Sequence, residues 1–264
     1  MTLTNDNYFT PEAMRHYWSV SQFKAFAKCE ACGLAEARGQ YQREPSTALL
    51  VGSYVDAYFT GDKGALGRFA LEHPEIFKKD GSLKADYFHA EKMINAVECQ
   101  PLMMEYLQGE TQVIKTAELF GVPWKIKMDV YQSVGPDKRI VDLKTTKDFA
   151  DIYETGFGYR SWIEAFGYDV QGAIYQKVEQ LSSGRSKPLP FYIVAVTKEK
   201  VPDVAVIQIP QHVLDTALKV VESKIDRFDL VKNGEIEPNR CETCEFCRMT
   251  KILMEPTIYE SAEA

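Results

Sequence analysis

The sequence has no continuous apolar run long enough to cross a bilayer and no apolar signal segment at its N-terminus. It also has no internal repeat and no low-complexity stretch. These absences predict a cytoplasmic protein without a membrane partner. The 264 residues are 45% hydrophobic and 26% charged, a composition typical of a globular chain whose length one domain can accommodate.

An excess of positive charge is also missing. Lysine and arginine contribute 31 residues against 38 aspartates and glutamates, so the net charge is −7. This balance does not favour an extended surface for nonspecific nucleic-acid binding. A narrow basic channel inside an acidic exterior is still compatible with it.

Cysteine is scarce, but its distribution is uneven. Cys241, Cys244 and Cys247 form a C-x-x-C-x-x-C segment, and Cys29 and Cys32 lie near the N-terminus. Clustered thiolates favour a soft metal such as zinc. The alternative is a set of reduced thiols that bind no metal.

The strongest chemical pattern is Asp129 followed across a turn by Asp142-Leu143-Lys144. Because strand side chains alternate between faces, Asp142 and Lys144 project together while Leu143 points into the core. With Asp129 from the neighbouring strand, the acids can hold a divalent cation, and the lysine can orient or deprotonate water or stabilise charge on a phosphate. The alternative is a surface strand that alternates charges to stay solvated.

The surrounding pattern predicts an α/β fold with a mixed sheet. Strands are expected at 111–120, 124–132 and 140–145 as an antiparallel meander, and at 191–197 and 204–209 after it. Helices are expected at 84–97, 158–181 and 212–232. Residues 1–110 are predicted to be mainly helical, 111–210 to hold the sheet and the central helix, and 211–264 to hold the last helix and the cysteine segment.

Gln171 and Tyr175 lie four residues apart in the predicted central helix, so they share one face. An amide and a phenol there can reach the same site. The alternative is an amphipathic helix in which Tyr175 is simply half buried.

Asp129, Asp142-Leu143-Lys144 and Gln171-Gly172-Ala173-Ile174-Tyr175 together resemble the PD-(D/E)xK nucleases of the RecB and RecE type. Trp18-Ser19-Val20-Ser21 resembles the S-x-S segment of RecB-like nucleases, and Gly52 to Asp56 resembles their G-x-x-x-H segment. In the latter, aspartate replaces the usual histidine. The alternative for Asp56 is an ordinary polar residue on the exposed side of a helix.

The resemblance implies a restriction-endonuclease-like core with a helical N-terminal elaboration, and a metal-dependent DNA exonuclease like those of phage recombination. Asp129, Asp142, the Leu143 carbonyl and Asp56 would bind Mg²⁺ or Mn²⁺, and Lys144, Gln171 and Tyr175 would complete the catalytic group. Contacts to DNA are expected from the following residues: Lys125, Lys127, Lys147, Gln171 and Tyr175.

The resemblance extends to cofactors and partners. Related nucleases hold a structural [4Fe-4S] cluster with one N-terminal and three C-terminal cysteines, here Cys29, Cys241, Cys244 and Cys247, although the last interval is shorter in this chain. Duplex DNA ends, a single-strand annealing protein and a ring of identical subunits are the implied partners. The alternative functions are a DNA endonuclease and an inactive DNA-binding scaffold.

Overall fold

The structure is a computed structural model that describes residues 2–254 and residue 256. Its N-terminal part is helical, as predicted. Several helices begin at a hydroxyl side chain: Thr10, Ser19 and Ser46 each accept a hydrogen bond from a first-turn backbone N–H. The helices before the sheet are α1 Pro11–His16, α2 Val20–Lys28, α3 Glu30–Ala37, α4 Thr47–Phe59, α5 Ala65–Glu72, α6 Ala85–Glu98 and α7 Pro101–Tyr106.

The centre of the molecule is a mixed sheet. The strands, including a separate small hairpin of β4 and β5, are β1 Glu110–Leu119, β2 Val122–Gln132, β3 Arg139–Thr146, β4 Ile152–Glu154, β5 Gly158–Arg160, β6 Phe191–Thr197 and β7 Val204–Gln208. The five-stranded sheet has the order β1-β2-β3-β6-β7. The antiparallel meander of β1 to β3 is confirmed, while β6 runs parallel to β3 and β7 antiparallel to β6.

The prediction of one continuous helix from 158 to 181 is wrong at its beginning. Gly158–Arg160 is strand β5, a short helix α8 spans Trp162–Ala165, and the long helix α9 starts only at Tyr168 and ends at Ser182. Gly167 separates the two helices because its φ of 64° lies in the left-handed region, which a right-handed helix cannot include. The last helices are α10 Gln211–Asn233 and α11 Glu245–Met249.

The sheet is covered by helices on both faces. Helices α2, α9 and α10 pack with residues such as Trp124 and Phe191 in one apolar cluster, and α4 and α6 pack with Val141 and Leu143 in a second. Leu143 therefore points into the core, as predicted, and its neighbours on β3 face α9. Gly172 lets α9 approach closely, because a Cβ there would lie 2.6 Å from the ring of Phe191.

None of the helices in residues 2–254 has both the length and the hydropathy that crossing a bilayer requires.

Candidate active site

Asp142 and Lys144 project from the same face of β3, as strand alternation predicts. Lys144 Nζ lies 2.5 Å from Asp142 Oδ2, and Asp142 is only 1% exposed. Burial by itself lowers the pKa of Lys144, but the charges of Asp142 and Asp129 outweigh it, and the net shift is upward. Without a bound cation, Lys144 is therefore a fixed positive charge rather than a base.

Asp129 reaches the same group because β2 and β3 separate beside it. The paired residues of the two strands end at Val130 and Val141. Beyond that pair, the backbone N–H of Leu143 donates to Asp129 Oδ2 at 2.9 Å. The fork between β2 and β3 thus directs the Leu143 N–H toward the Asp129 carboxylate and holds that carboxylate near Asp142.

Asp56 comes to the site from α4. Gly52, one helical turn earlier, allows α4 to approach β3, because a Cβ at this position would lie 2.9 Å from Thr145 Oγ1. Thr60 Oγ1 donates to Asp56 Oδ1 at 2.7 Å, and burial raises the pKa of Asp56. The structure therefore brings a third carboxylate to the position where RecB-like nucleases usually have histidine. Its role as a metal ligand stays a prediction.

Gln112 is a site residue that sequence analysis did not identify. Its φ is 53°. Thr111 pairs with Val130 and Val113 pairs with Met128, so Gln112 and Asp129 face each other as the unpaired residues between these two pairs. The Gln112 amide donates to Thr60 Oγ1 at 2.7 Å, which extends the hydrogen-bond chain that holds Asp56. A non-glycine residue with positive φ is uncommon, and strain of this kind concentrates at functional sites. No sequence signal marks a glutamine for this conformation.

Gln171 and Tyr175 share a face of α9, as predicted, but they hold different parts of the site. The Gln171 amide donates to Asp142 Oδ1 at 2.6 Å. The Tyr175 hydroxyl donates to the backbone carbonyl of Lys127 at 2.9 Å and thereby ties α9 to β2. Gln171 thus orients Asp142, and direct contact of either residue with DNA stays a prediction.

Replacing Gln171 by alanine should weaken Mn²⁺ binding about 10- to 100-fold, because Asp142 loses the donor that orients it. The comparison variant Tyr175→Phe should cost about 1 kcal/mol of stability, since it removes the hydrogen bond to the Lys127 carbonyl, and should weaken Mn²⁺ binding less than Gln171→Ala does. Calorimetric titration with Mn²⁺ and urea unfolding measure the two effects. Equal loss of metal affinity in both variants would contradict this division of roles.

The prediction that Lys125 contacts DNA is wrong. Its side chain is 1% exposed, and its ammonium donates to the backbone carbonyl of Tyr8 inside the protein. Lys127 instead lines the site, with Nζ 5.0 Å from the centre of the Phe9 ring. The Lys147 side chain is 92% exposed at the rim. DNA contacts by Lys127 and Lys147 stay predictions.

Two clefts meet at the candidate site and share Lys24, Asp56, Asp129, Lys144 and Gln171 in their walls. The first cleft continues along Tyr8, Phe9, Ser19, Ser21, Gln112, Lys127 and Tyr175, so it contains the predicted S-x-S segment. The second cleft, of about 810 Å³, continues along Ser46, Leu49, Thr145, Lys147, Phe166, Tyr168 and Lys198. An extended ligand that crosses the shared carboxylates would pass from one cleft into the other.

The carboxylates fit a hard divalent cation. Burial, followed by the charges of Asp142 and Asp56, raises the pKa of Asp129 well above its usual range. A bound cation would relieve this repulsion, and carboxylate oxygens are the ligands that Mg²⁺ and Mn²⁺ prefer. The three carboxylates are gathered less tightly than the four thiols described below. The residues present therefore suit Mg²⁺ or Mn²⁺, with Asp129 and Asp142 as the core of the donor set.

Asp129→Asn should raise the melting temperature of the metal-free protein by several degrees at pH 8. Asparagine keeps an oxygen for the Leu143 N–H but removes the buried charge. Because the folded-state pKa of Asp129 is raised, the stability of the wild type falls as pH rises from the unfolded pKa through the folded one. The difference should therefore shrink toward pH 4, close to the unfolded pKa of about 3.9.

Differential scanning fluorimetry in EDTA across this pH range measures the effect. Saturating Mg²⁺ should reverse the order, because only the wild type gains the binding free energy. A variant that melts with the wild type at every pH would show that Asp129 carries no electrostatic strain.

A second cluster joins the two ends of the chain. The sulfur atoms of Cys29, Cys241, Cys244 and Cys247 all lie within 4.8 Å of one another. Cys29 Sγ and Cys247 Sγ are 3.5 Å apart, and Cys241 Sγ and Cys247 Sγ are 4.0 Å apart. The predicted set of four is thus brought together, while Cys99 lies exposed elsewhere.

The backbone of the C-terminal segment is arranged around these sulfurs. The N–H of Cys244 points at Cys241 Sγ at 3.2 Å, and that of Cys247 at Cys244 Sγ at 3.4 Å. Hydrogen bonds from Thr243, then from the N–H groups of Thr243 and Cys244, lower the pKa of Cys241 to about 5. The four converging sulfurs fit a thiophilic metal.

Comparison with known proteins agrees with this geometry. Residues 19–250 match a family model described as "PDDEXK-like domain of unknown function (DUF3799)". A crystal structure from Eubacterium rectale, described as a "Putative exonuclease", is 43% identical, has a TM-score of 0.90 and covers 98% of this chain and 97% of its own. The crystal structure of SSO0001 has 16% identity and a TM-score of 0.28 over 74% of this chain and 82% of its own, which supports no argument.

No curated protein matches the chain. The family model nevertheless covers most of the sequence, and the Eubacterium rectale structure shares the helix-flanked mixed sheet over nearly its whole length. The predicted PD-(D/E)xK family and the restriction-endonuclease-like fold class are therefore confirmed. The chain belongs to the PDDEXK-like family represented by DUF3799.

Proposed function

We propose that the protein is a metal-dependent deoxyribonuclease that removes nucleotides from the ends of linear duplex DNA. The observation that supports the proposal best is the convergence of Asp129, Asp142 and Lys144: Asp129 and Lys144 line both clefts, and Asp142 lines the first and lies 2.5 Å from Lys144. The description of the Eubacterium rectale relative, "Putative exonuclease", supports attack at DNA ends rather than within a strand.

Each side chain has a separate task in this proposal. Asp129 and Asp142 would hold Mg²⁺ or Mn²⁺, with the Leu143 carbonyl and Asp56 as further ligands. A bound ion of this kind polarises the phosphate and lowers the pKa of a coordinated water. Lys144 stabilises negative charge that develops on the phosphate and orients the attacking water. Gln171 holds Asp142 in place.

The test uses end-labelled linear duplex and closed circular DNA with Mg²⁺, Mn²⁺ or EDTA. The wild type should degrade only the linear substrate and only with metal, and Lys144→Ala should be inactive. Lys219→Ala, which removes an exposed lysine of α10, is the matched control and should retain full activity. Cleavage of the circle would assign an endonuclease, and absence of any cleavage would leave a DNA-binding scaffold.

We infer that the four thiolates hold a single metal ion, with zinc as the first choice. With Zn–S bonds of about 2.3 Å, tetrahedral geometry places sulfurs about 3.8 Å apart, which is close to the 3.5 and 4.0 Å observed. A [4Fe-4S] cluster, which the family resemblance implies, would hold the thiolates farther apart because each binds a different iron. In either case the site is structural, since it ties Cys29, just after α2, to α11.

Elemental analysis of aerobically and anaerobically purified protein decides between these metals. One zinc per chain and no visible absorption would support the single ion. About four irons with acid-labile sulfide would contradict it and favour the cluster.

A ring of subunits and an annealing protein stay predictions of the family resemblance. Light scattering after size-exclusion chromatography tests the ring. Co-expression with single-strand annealing proteins and co-purification tests the partner.

A further inference from the structure

We propose that the second cleft binds an unpaired DNA strand next to the cleaved phosphate, with Lys198 on a backbone phosphate and Phe166 against a base. This inference rests on the proposed function, because it names how the substrate of that site is held. It assigns roles to Lys198 and Phe166, neither of which belongs to the motifs that identify the family.

Lys198 lies at the end of the central sheet, on the wall of the second cleft. It follows β6 directly, and its backbone N–H donates to the carbonyl of Thr146 at 2.8 Å, so it lies beside the end of β3. Its side chain lines the same cleft as Lys144. Within residues 2–254 and 256, the structure gives its ammonium neither a hydrogen bond nor an ion pair. Burial lowers its pKa, which indicates partial removal from solvent.

The charge of the second cleft complements a phosphodiester strand. Its walls carry Lys24, Lys144, Lys147 and Lys198 against the carboxylates of Asp56 and Asp129. A bound divalent cation would reduce the negative side of this balance further. The walls of the cleft therefore carry more basic than acidic side chains, although the net charge of the protein is −7, and Lys144 and Lys147 are also paired with Asp142 and Asp148.

The same cleft has an apolar wall suited to a base. Phe166 is 45% exposed and Leu49 is 61% exposed, and both line it. Phe166 is held in place because its carbonyl accepts a hydrogen bond from Lys24 Nζ at 2.9 Å, and its ring lies 5.8 Å from that of Tyr168. Aromatic rings bind bases of any identity by stacking, which requires a base outside the duplex. The cleft thus fits an unpaired strand without sequence preference.

The test is binding of a fluorescent single-stranded oligonucleotide in EDTA, measured by anisotropy over a series of NaCl concentrations. Lys198→Gln should reduce the slope of log K against log salt by about 0.7, the value expected for one lost phosphate contact on a single strand. Lys198→Arg should restore the wild-type slope, since it keeps the charge. The exposed-lysine control Lys219→Gln should leave the slope unchanged.

The base contact is tested with the same oligonucleotide. Phe166→Ala should weaken binding about ten-fold. Phe157→Ala, which removes a 72% exposed ring outside both clefts, is the matched control and should have no effect. Melting curves of all variants establish that they are folded.

Equal slopes for Lys198→Gln and the wild type, or equal losses for the two phenylalanine variants, would overturn the inference. Absence of oligonucleotide binding by the wild type would overturn it as well. If the predicted binding changes occur but no DNA is cleaved with any metal, the cleft assignment stands and only the nuclease proposal fails.

Discussion

Asp142→Asn should abolish DNA cleavage, with a loss on the order of 10³-fold or more, comparable with removal of a central catalytic group in other hydrolases. Asparagine has nearly the same shape, and its Oδ1 can still accept the hydrogen bond from Gln171. The substitution removes the negative charge of Asp142, which lies 2.5 Å from Lys144 Nζ. A divalent cation requires that charge for binding. Single-turnover cleavage of linear duplex and calorimetric titration with Mn²⁺ measure the two losses.

The control for this variant is Asp137→Asn, which changes an exposed acid in the turn between β2 and β3. It should cleave DNA and bind Mn²⁺ like the wild type. If Asp142→Asn kept more than a tenth of the activity, the acid on β3 would not be the metal-binding group, and the site would have to be assigned elsewhere.

Cys247→Ser should release the thiolate-bound metal and lower the melting temperature on the order of 10 °C. Cys247 is 0% exposed, and its sulfur lies within 4.0 Å of both Cys29 Sγ and Cys241 Sγ. Metal bound only by the folded state contributes its binding free energy to folding. A loss of about 3 kcal/mol corresponds to roughly 6–12 °C for a chain near this size.

Cys99→Ser is the matched control, because Cys99 is exposed and outside the cluster. It should retain both metal content and melting temperature. The folded fraction of Cys247→Ser should still cleave DNA, since the cluster is structural. Full metal content in Cys247→Ser would show that this residue is not a ligand, and loss of activity without unfolding would contradict the structural role.

Much of the fold was predictable because it depends on local pattern. Alternating β-rich segments with turn residues between them predicted β1 to β3 nearly to the residue, and apolar periodicity predicted α10. The beginning of α9 was not predictable in this way. Residues from Gly158 to Phe166 have helical periodicity, but the left-handed Gly167 and the pairing of β5 with β4 override it.

The identity of the central site residues was likewise present in the sequence, because strand alternation and helix spacing are fixed by backbone geometry. Asp142 and Lys144 had to share a face, and so did Gln171 and Tyr175. The presence of lysines on a strand predicted their exposure less well. Lys125 shares a face of β2 with Lys127, yet its side chain is buried against Tyr8, because what covers that face is a segment distant in sequence.

Residue type and short spacing were therefore sufficient to predict the family, the order of the elements and the candidate catalytic side chains. Four features of the site depend on contacts between distant parts of the chain and are seen only in the three-dimensional structure. These are the fork that turns Leu143 N–H to Asp129, the chain from Gln112 through Thr60 to Asp56, the separate tasks of Gln171 and Tyr175, and the cleft containing Lys198. Such contacts join residues tens of positions apart, and no local pattern specifies them.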